Sequence, residues 1–592
     1  MTQQRYYTDQ KNLQIIIALL KAHGINKIIT SPGSANHILV ASMQNDAWFE
    51  MYSSVDERSA AYMACGLSAE SGEPVVITCT EATASRNYMP GLTEAYYRKL
   101  PILAITTTHG ANKVGQHMAQ VIDHSILPND VAIYSAYIPS CHFIKDEVET
   151  ALKVNEAILE LSHRGGGPVY LNVESVLSRD YSAKELPKVR KIERFTYASK
   201  LPVLPEGRIG IFVGSHKNWS EAEIFAIDKF CEVNNAIIFC DHTSGYKGKY
   251  RIDYSLIGSQ EMYDSELSKL RLLIHIGEVS GDYFSECLGS KADEVWRVNE
   301  DGKIRDPWNK LHYIFEMRED TFFTHYIGKK QPITAHVIEQ YKAERAEIAS
   351  KFPDLPFTKV WIASQITKKL PADSYIHFSI LGSLRACNFF TLPDSVQSNC
   401  NVGGFGIDGA TSTLIGASLA NKNKLHFLMT GDLAFFYDLN AVGNRHLDKN
   451  VRILLINNGD GTEFRMYWHP ISAFTKEEAD RYMAAGGHFG HKSPTFVKHL
   501  AEDLGFEYLT ASTKEDFLQV YEHFLTPEIT EKPMLFEVFT DSEEDNFAVH
   551  ATRTLARDAG YTKRQLKREI VNKTKDILGN KNIEIVKNIL KK

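Results

Sequence analysis

Leu425-His426-Phe427-Leu428-Met429-Thr430-Gly431-Asp432-Leu433 and, one crossover later, Val451-Arg452-Ile453-Leu454-Leu455-Ile456-Asn457-Asn458-Gly459 decide how this chain is read. Each is an apolar run of strand length that stops on polar residues, the pattern of a strand buried on both faces. Such strands build open parallel sheets, and ligands bind at their carboxyl ends. There the first run ends on an acid and the second on a pair of carboxamides. Mg2+ takes an octahedron of oxygens drawn from carboxylate, neutral oxygens, water and substrate phosphates. Asp432 offers the carboxylate, Asn458 an amide oxygen, and Asp460, two residues on, its backbone carbonyl. A diphosphate would complete the set.

Strands and helical stretches alternate on either side of these runs. Towards the N-terminus, Lys27–Thr30 ends in the turn Ser31-Pro32-Gly33-Ser34, and apolar runs follow at 74–79, 101–106 and 168–173. The charged, proline-bearing stretch 184–205 reads as a linker. Runs at 209–214, 236–240 and 272–277 form a second α/β unit that closes near a polar helix at 333–352. The third begins at about Pro356 and holds 375–378, the two opening runs and 533–538. The expected fold class is therefore α/β, with three consecutive doubly wound parallel-sheet domains over 1–185, 205–350 and 356–545, and a helical tail over 546–592.

Composition agrees with such a chain and excludes others. With 592 residues, 43% hydrophobic and 23% charged, it is too long for one core and ordinary for a globular protein. No apolar run reaches the roughly 18 residues of a membrane span. The polar N-terminus lacks a signal-peptide pattern, and eight cysteines without C-x-x-C spacing indicate neither zinc ribbon nor disulfide framework. A cytoplasmic, reduced protein is expected. The net charge of −7 is uneven, because residues 561–592 carry ten Lys/Arg against three Asp/Glu. Leu566, Ile570, Ile577, Leu578, Ile585, Ile589 and Leu590 recur there at roughly helical spacing. A basic amphipathic helix suits a membrane surface or nucleic acid. The expectation here is a helix packed on its own oligomer with a solvated basic face, and no nucleic-acid partner.

Two further motifs carry competing readings. Val55-Asp56-Glu57-Arg58-Ser59-Ala60 stands before a helical stretch, and a Glu in that place can simply cap the helix, as can Asp56 or Ser59. Beside a diphosphate site, Glu57 is instead expected to be catalytic. Gly404-Phe405-Gly406-Ile407-Asp408-Gly409 matches the dinucleotide fingerprint, and Asp432 falls where its ribose-binding acid belongs. Against an NAD site, no long apolar strand precedes Gly403, and the Asn457-Asn458 pair is left without a purpose.

These residues together resemble the thiamine-diphosphate-dependent superfamily of pyruvate decarboxylase and acetolactate synthase. Within it the chain up to about residue 545 is most similar to the SEPHCHC synthase (MenD) family. The resemblance is carried by the motifs already quoted, with Gln120-Val121-Ile122-Asp123, Ser398-Asn399 and Tyr437-Asp438-Leu439-Asn440-Ala441. It makes the three domains pyrimidine-binding, central and diphosphate-binding, and the cofactors thiamine diphosphate and Mg2+. It implies that Glu57 hydrogen-bonds the aminopyrimidine and promotes loss of the thiazolium C2 proton. It places Ser34, Thr83, Asn87, Gly406, Ile407, Asp408, Gly431, Asp432, Leu433 and Asn458 against the cofactor. Gln120 and His109 would join Glu57 in catalysis, and Arg385 and His37 would meet substrate. The implied reaction is decarboxylation of a 2-oxo acid and transfer of the acyl-anion equivalent to an acceptor. Plain decarboxylation, a catalytically inactive scaffold and the NAD-binding protein of the glycine fingerprint are the alternatives. Glu57 and Asp432 would meet across a dimer interface, so a homodimer is the minimum and a tetramer common.

The chain departs from that family where it grips anionic substrates. Arginines of the family fall on Ala35, His109 and Val402, and a basic pair near Gly281-Asp282, while Arg385 and Gln120 remain. Each Arg–carboxylate fork contributes about 1.5–3 kcal/mol. The expected substrates are accordingly a small 2-oxo acid donor and a more neutral carbonyl or sugar-like acceptor, not those of SEPHCHC synthase. His37, His109, His117 and His124 lie near that pocket, and imidazole suits proton transfer near neutral pH.

Overall fold

The computed structural model describes residues 5–328, 330–333, 336–487 and 493–557. The strands of the first part are β1 (Lys27–Thr30), β2 (Glu50–Ser53), β3 (Val75–Thr80), β4 (Ile102–Thr108), β5 (Tyr134–Ile138), β6 (Val169–Glu174) and β7 (Glu193–Thr196). Then come β8 (Ile209–Val213), β9 (Ile237–Cys240), β10 (Arg251–Asp253), β11 (Leu272–Ile276), β12 (Glu294–Val298) and β13 (Leu311–Glu316). The last are β14 (Tyr375–Phe378), β15 (Gln397–Cys400), β16 (His426–Gly431), β17 (Val451–Asn457), β18 (Glu507–Ala511) and β19 (Met534–Phe539). They form three parallel sheets of six, seven and six strands, flanked by helices, which is the α/β architecture expected.

The chain divides into two compact units. The first, Met1–Lys200 with Asp301–Glu316, holds a sheet of order β2-β1-β3-β4-β6-β5, together with β7, which pairs with β13 in parallel. Strand β7 lies inside the stretch expected to be a linker. The second unit, Leu201–Glu300 with Met317–Lys592, holds the run β10-β9-β8-β11-β12 and a sheet of order β15-β14-β16-β17-β19-β18. The first and last sheets thus share one topology. In each, the strand in the third place by sequence, β3 or β16, lies inside the sheet, and a short helix (Thr83–Asn87 or Asp432–Tyr437) starts at or just past its carboxyl end.

Burial explains the strands. All seven residues of β17 are buried, as are the first five of β16. Helices close on local signals. In Glu57–Ser71, Asp56 is the N-cap, accepting a hydrogen bond of 2.8 Å from the Ser59 N–H, and Gly72 ends the helix at φ 70°. Among the described residues no helix is long and apolar enough to cross a membrane, and all eight cysteines are free thiols. Of the expected tail, Ser542–Arg553 is helical, and the basic amphipathic stretch from 558 onward lies outside the described residues.

Candidate functional site

The carboxyl ends of β16 and β17 bring Asp432 and Asn458 together. Asp432 starts a short helix and is 4% exposed. Burial pushes its carboxyl up to about 7, against the pull of the Leu433 and Gly459 backbone N–H groups and the Lys359 ammonium. Gly459 is the residue after Asn458, so this bond ties the two strand ends together. The Asn458 amide is oriented by its Nδ2, which donates to Thr462 Oγ1 at 2.7 Å and to Asp545 Oδ2 at 3.0 Å. Its Oδ1 accepts the Asp460 N–H at 3.1 Å. Asp545 comes from the helix Ser542–Arg553 and also accepts from the Lys359 backbone N–H at 2.7 Å.

These residues fit a hard cation with a diphosphate. The Asp432 carboxyl is buried and bonded to backbone N–H groups. A Cβ added at Gly431, the residue before it, would meet nothing within 4 Å, so open space adjoins it, and the same holds for Gly403 and Gly404 in the glycine-rich loop. Among the described residues no group of three or more His, Cys, Asp or Glu side chains is arranged to hold a metal ion. A carboxylate, an amide oxygen and a carbonyl are a Mg2+ set rather than a zinc set. Of Asp460 only the backbone carbonyl is left for such a set, since its carboxylate is held by Arg465 at 2.8 and 2.9 Å and by Ser542.

The glycine-rich loop leaves β15, a polar four-residue strand at the sheet edge, which is not the strand–turn–helix of a dinucleotide site. Gly409 at φ 78° opens the helix Ala410–Ala420, and Ser412 in its first turn is bound through N and Oγ by Asp438 at 2.6 and 2.7 Å. Gly406, Ile407 and Asp408 lie in this loop, Asp408 exposed and the other two half-buried.

Arg385 is 7% exposed, and its two Nη atoms donate to the Glu463 carboxylate at 2.7 and 3.1 Å. Glu463 follows Thr462, which is bonded to Asn458. Trp468 and Phe284 flank the guanidinium with ring centroids 5.4 and 6.0 Å away. Reading the sequence did not find Glu463, Lys359 or Asp545. Each lies on a different loop or helix from its partner and carries no local pattern.

The first unit gathers the other group. With Asp56 as the cap, Glu57 is free of that duty; it is half-buried and accepts a hydrogen bond of 3.4 Å from Asn87 Nδ2. Thr83 and Asn87 lie on one short helix, preceded by Ala82 at φ 63° and ψ −132°. This is a costly conformation for a residue with a Cβ. Ser34 is exposed, and its carbonyl accepts from His37 Nδ1 at 2.6 Å. Gly33 admits no side chain, because a Cβ there would stand 2.7 Å from Thr80 Cβ. His109 Nε2 lies 3.7 Å from Glu81 Oε1, and Glu81, 1% exposed, accepts from Thr108 Oγ1 at 2.6 Å. Gln120 is exposed at φ 66°. His124 stacks on Tyr170 and bonds to its hydroxyl at 3.0 Å; burial pushes its imidazole down to about 4. It is a neutral, structural histidine.

Comparison with known proteins bears on the same residues. The family model described as thiamine pyrophosphate enzyme, N-terminal TPP binding domain, matches residues 11–127. A 2-succinyl-5-enolpyruvyl-6-hydroxy-3-cyclohexene-1-carboxylate synthase of Phocaeicola vulgatus is 30% identical over 91% of this chain and 97% of its own. The enzyme so named from Bacteroides fragilis is 29% identical over 91% and 98%. That of Flavobacterium johnsoniae is 26% identical over 90% and 96%. Among solved structures, a Rhodococcus jostii RHA1 thiamine diphosphate-dependent 4-hydroxybenzoylformate decarboxylase aligns with 90% of this chain and 99% of its own, at TM-score 0.38 and 16% identity.

Proposed function

Because the chain belongs to the 2-succinyl-5-enolpyruvyl-6-hydroxy-3-cyclohexene-1-carboxylate synthase (MenD) family of thiamine-diphosphate-dependent enzymes, we propose that it decarboxylates a 2-oxo acid and transfers the acyl-anion equivalent to a carbonyl or sugar-like acceptor. Thiamine diphosphate supplies the electron sink for that chemistry when bound. The observation that carries the reading is the buried Asp432 carboxyl, tied through Gly459 to an Asn458 amide whose nitrogen is held by Asp545.

In this reading Asp432, Asn458 and the Asp460 carbonyl hold Mg2+, and the open ground beside Gly403, Gly404 and Gly431 admits the diphosphate. Glu57, steadied by Asn87, accepts a proton-bearing nitrogen of the aminopyrimidine and so biases its tautomer. Ser34, Thr83 and the 406–408 loop orient the two rings. His109 and Gln120 move and orient protons at substrate oxygens, and His37 and Arg385 meet substrate. Residues 1–185 form the pyrimidine-side domain, 356–545 the diphosphate-side domain, and 205–350 a structural middle. Two copies complete each site, which makes the protein a homodimer or tetramer of the cytoplasm.

The substrates differ from those named for the relatives. Ala35 and Val402, at positions where the family carries arginine, are 1% and 4% exposed. At Gly281 a Cβ would stand 2.6 Å from Leu384 Cδ2 and 2.7 Å from Val402 Cγ1. Asp282 spends its carboxylate capping Phe284 and Ser285. These positions are packed or self-satisfied, and a doubly anionic ligand finds fewer cations here. The test is CO2 release from a panel of 2-oxo acids (pyruvate, 2-oxoglutarate, phosphonopyruvate and branched-chain acids) with thiamine diphosphate and Mg2+. Release from a monocarboxylic donor is expected. A strong preference for 2-oxoglutarate would return the chain to the relatives' reaction, and silence across the panel with every acceptor tried would overturn the reading.

A further inference from the structure

We propose that Glu463 is a specificity-determining residue, which occupies the carboxylate fork of Arg385 and sets the site to take an uncharged, hydroxylated carbonyl compound. The inference deepens the reading above and rests on it for the reaction, though not for the binding it describes.

An arginine that binds a substrate carboxylate must present its two Nη donors to that group. Here both are already taken, by the two oxygens of one carboxylate, in the parallel geometry such forks prefer. The guanidinium is buried, with a side chain 8% exposed, while the Glu463 side chain is 25% exposed. Solvent, and any ligand, reaches the pair from the glutamate side. Phe284 and Trp468 wall the guanidinium, so it has little freedom to swing away. Another carboxylate arriving at this place meets a negative oxygen in front of a neutralised cation, and must displace it or be repelled.

The location gives the pair its meaning. Glu463 is one residue beyond Thr462, whose hydroxyl accepts from the Asn458 amide. A Cβ at Gly461 would stand 3.3 Å from Leu433 Cδ1, beside Asp432. The turn 461–463 therefore grows directly out of the loop that holds the cation. What the pair offers a ligand is a compact set of acceptor lone pairs on the carboxylate, backed by the guanidinium. Hydroxyl groups donate well to such an acceptor and carry no charge to be repelled. Tyr283, which faces Glu463 and whose phenol burial and that carboxylate push up, stays a hydroxyl donor and acceptor in the same wall.

The test is calorimetric titration of the full-length protein, in the presence of thiamine diphosphate and Mg2+, with succinate and with glyceraldehyde as probes. Wild-type protein should bind succinate weakly. Glu463→Gln keeps the shape and removes the charge, and should tighten succinate roughly tenfold or more while weakening glyceraldehyde by about the same factor. Glu463→Asp should keep wild-type behaviour, which separates charge from packing. Adding Arg385→Met to Glu463→Gln should cancel the succinate gain. Equal succinate affinity in wild type and Glu463→Gln, or a gain that survives Arg385→Met, overturns the proposal. The titration needs no turnover. A protein that switches ligand preference but releases no CO2 from any donor would keep this inference and lose the reaction proposed above.

Discussion

Asp545 accepts a hydrogen bond of 3.0 Å from the Asn458 amide nitrogen across 87 positions of sequence. The bond fixes which way that amide is turned. If Asn458 holds Mg2+ as proposed, removing it should weaken cation binding before it costs the fold. Partners that orient metal ligands typically matter roughly 10–100-fold in affinity. Asp545→Asn should raise the Mg2+ concentration needed for thiamine diphosphate binding by about that factor, as read from cofactor titration followed by tryptophan fluorescence. An unchanged Mg2+ requirement would detach Asp545 from the site.

Glu57→Gln separates chemistry from binding. The cap of its helix is Asp56, so the substitution leaves the helix start intact. Turnover should fall roughly a hundredfold or more, the usual contribution of proton transfer, with cofactor affinity changed by no more than a few-fold. CO2 release and cofactor titration on one preparation read both. Full turnover in this variant would remove Glu57 from the mechanism.

Gly281→Ala tests whether the chain around Gly281 has room for any side chain. A Cβ there would press on Leu384 and Val402 at 2.6 and 2.7 Å. Overpacking of this kind costs about 1–3 kcal/mol. A lower urea midpoint is expected, and a neutral result would mean that Leu384 and Val402 move aside freely.

His216 gives stability a pH dependence. Its Nδ1 faces the Lys217 carbonyl at 2.8 Å and its Nε2 the Glu319 carboxylate at 3.0 Å, so only the imidazolium satisfies both. Burial lowers its proton affinity, and the Glu319 hydrogen bond and charge outweigh that and raise it above the ordinary 6.5. A raised folded value means the stabilisation is fully present below pH 6.5 and is lost as pH rises through the folded value. Thermal midpoints should fall from pH 6 toward pH 8 in the wild type and change less in Glu319→Gln.

The parts of this molecule that could be read in advance are those fixed by local pattern. Strands β16 and β17 announce themselves because both faces are buried, and the acid and carboxamides at their ends mark a parallel-sheet crevice. Strands β15 and β18 do not. Gln397–Cys400 is polar and alternates in exposure, and it is a strand because Tyr375–Phe378 beside it offers a free edge. Strand β7 hides in a charged stretch for the same reason, its pairing with Leu311–Glu316 lying more than a hundred residues away. The site divides likewise. Asp432, Asn458 and Glu57 sit in motifs, whereas Glu463 is 78 residues from Arg385 and is significant only once the chain has folded. Arg385 read alone is a cation awaiting an anion, and the fold supplies one from within.

The cation loop also has a place in the order of synthesis. Asp432 and Asn458 leave the ribosome well before Asp545, which belongs to the last helix described. Until that helix has emerged, the Asn458 amide lacks its anchor and the buried Lys359 lacks its acid. Folding of the first sheet can therefore precede the site, whereas the Asn458 amide is oriented only after residue 545 has been made.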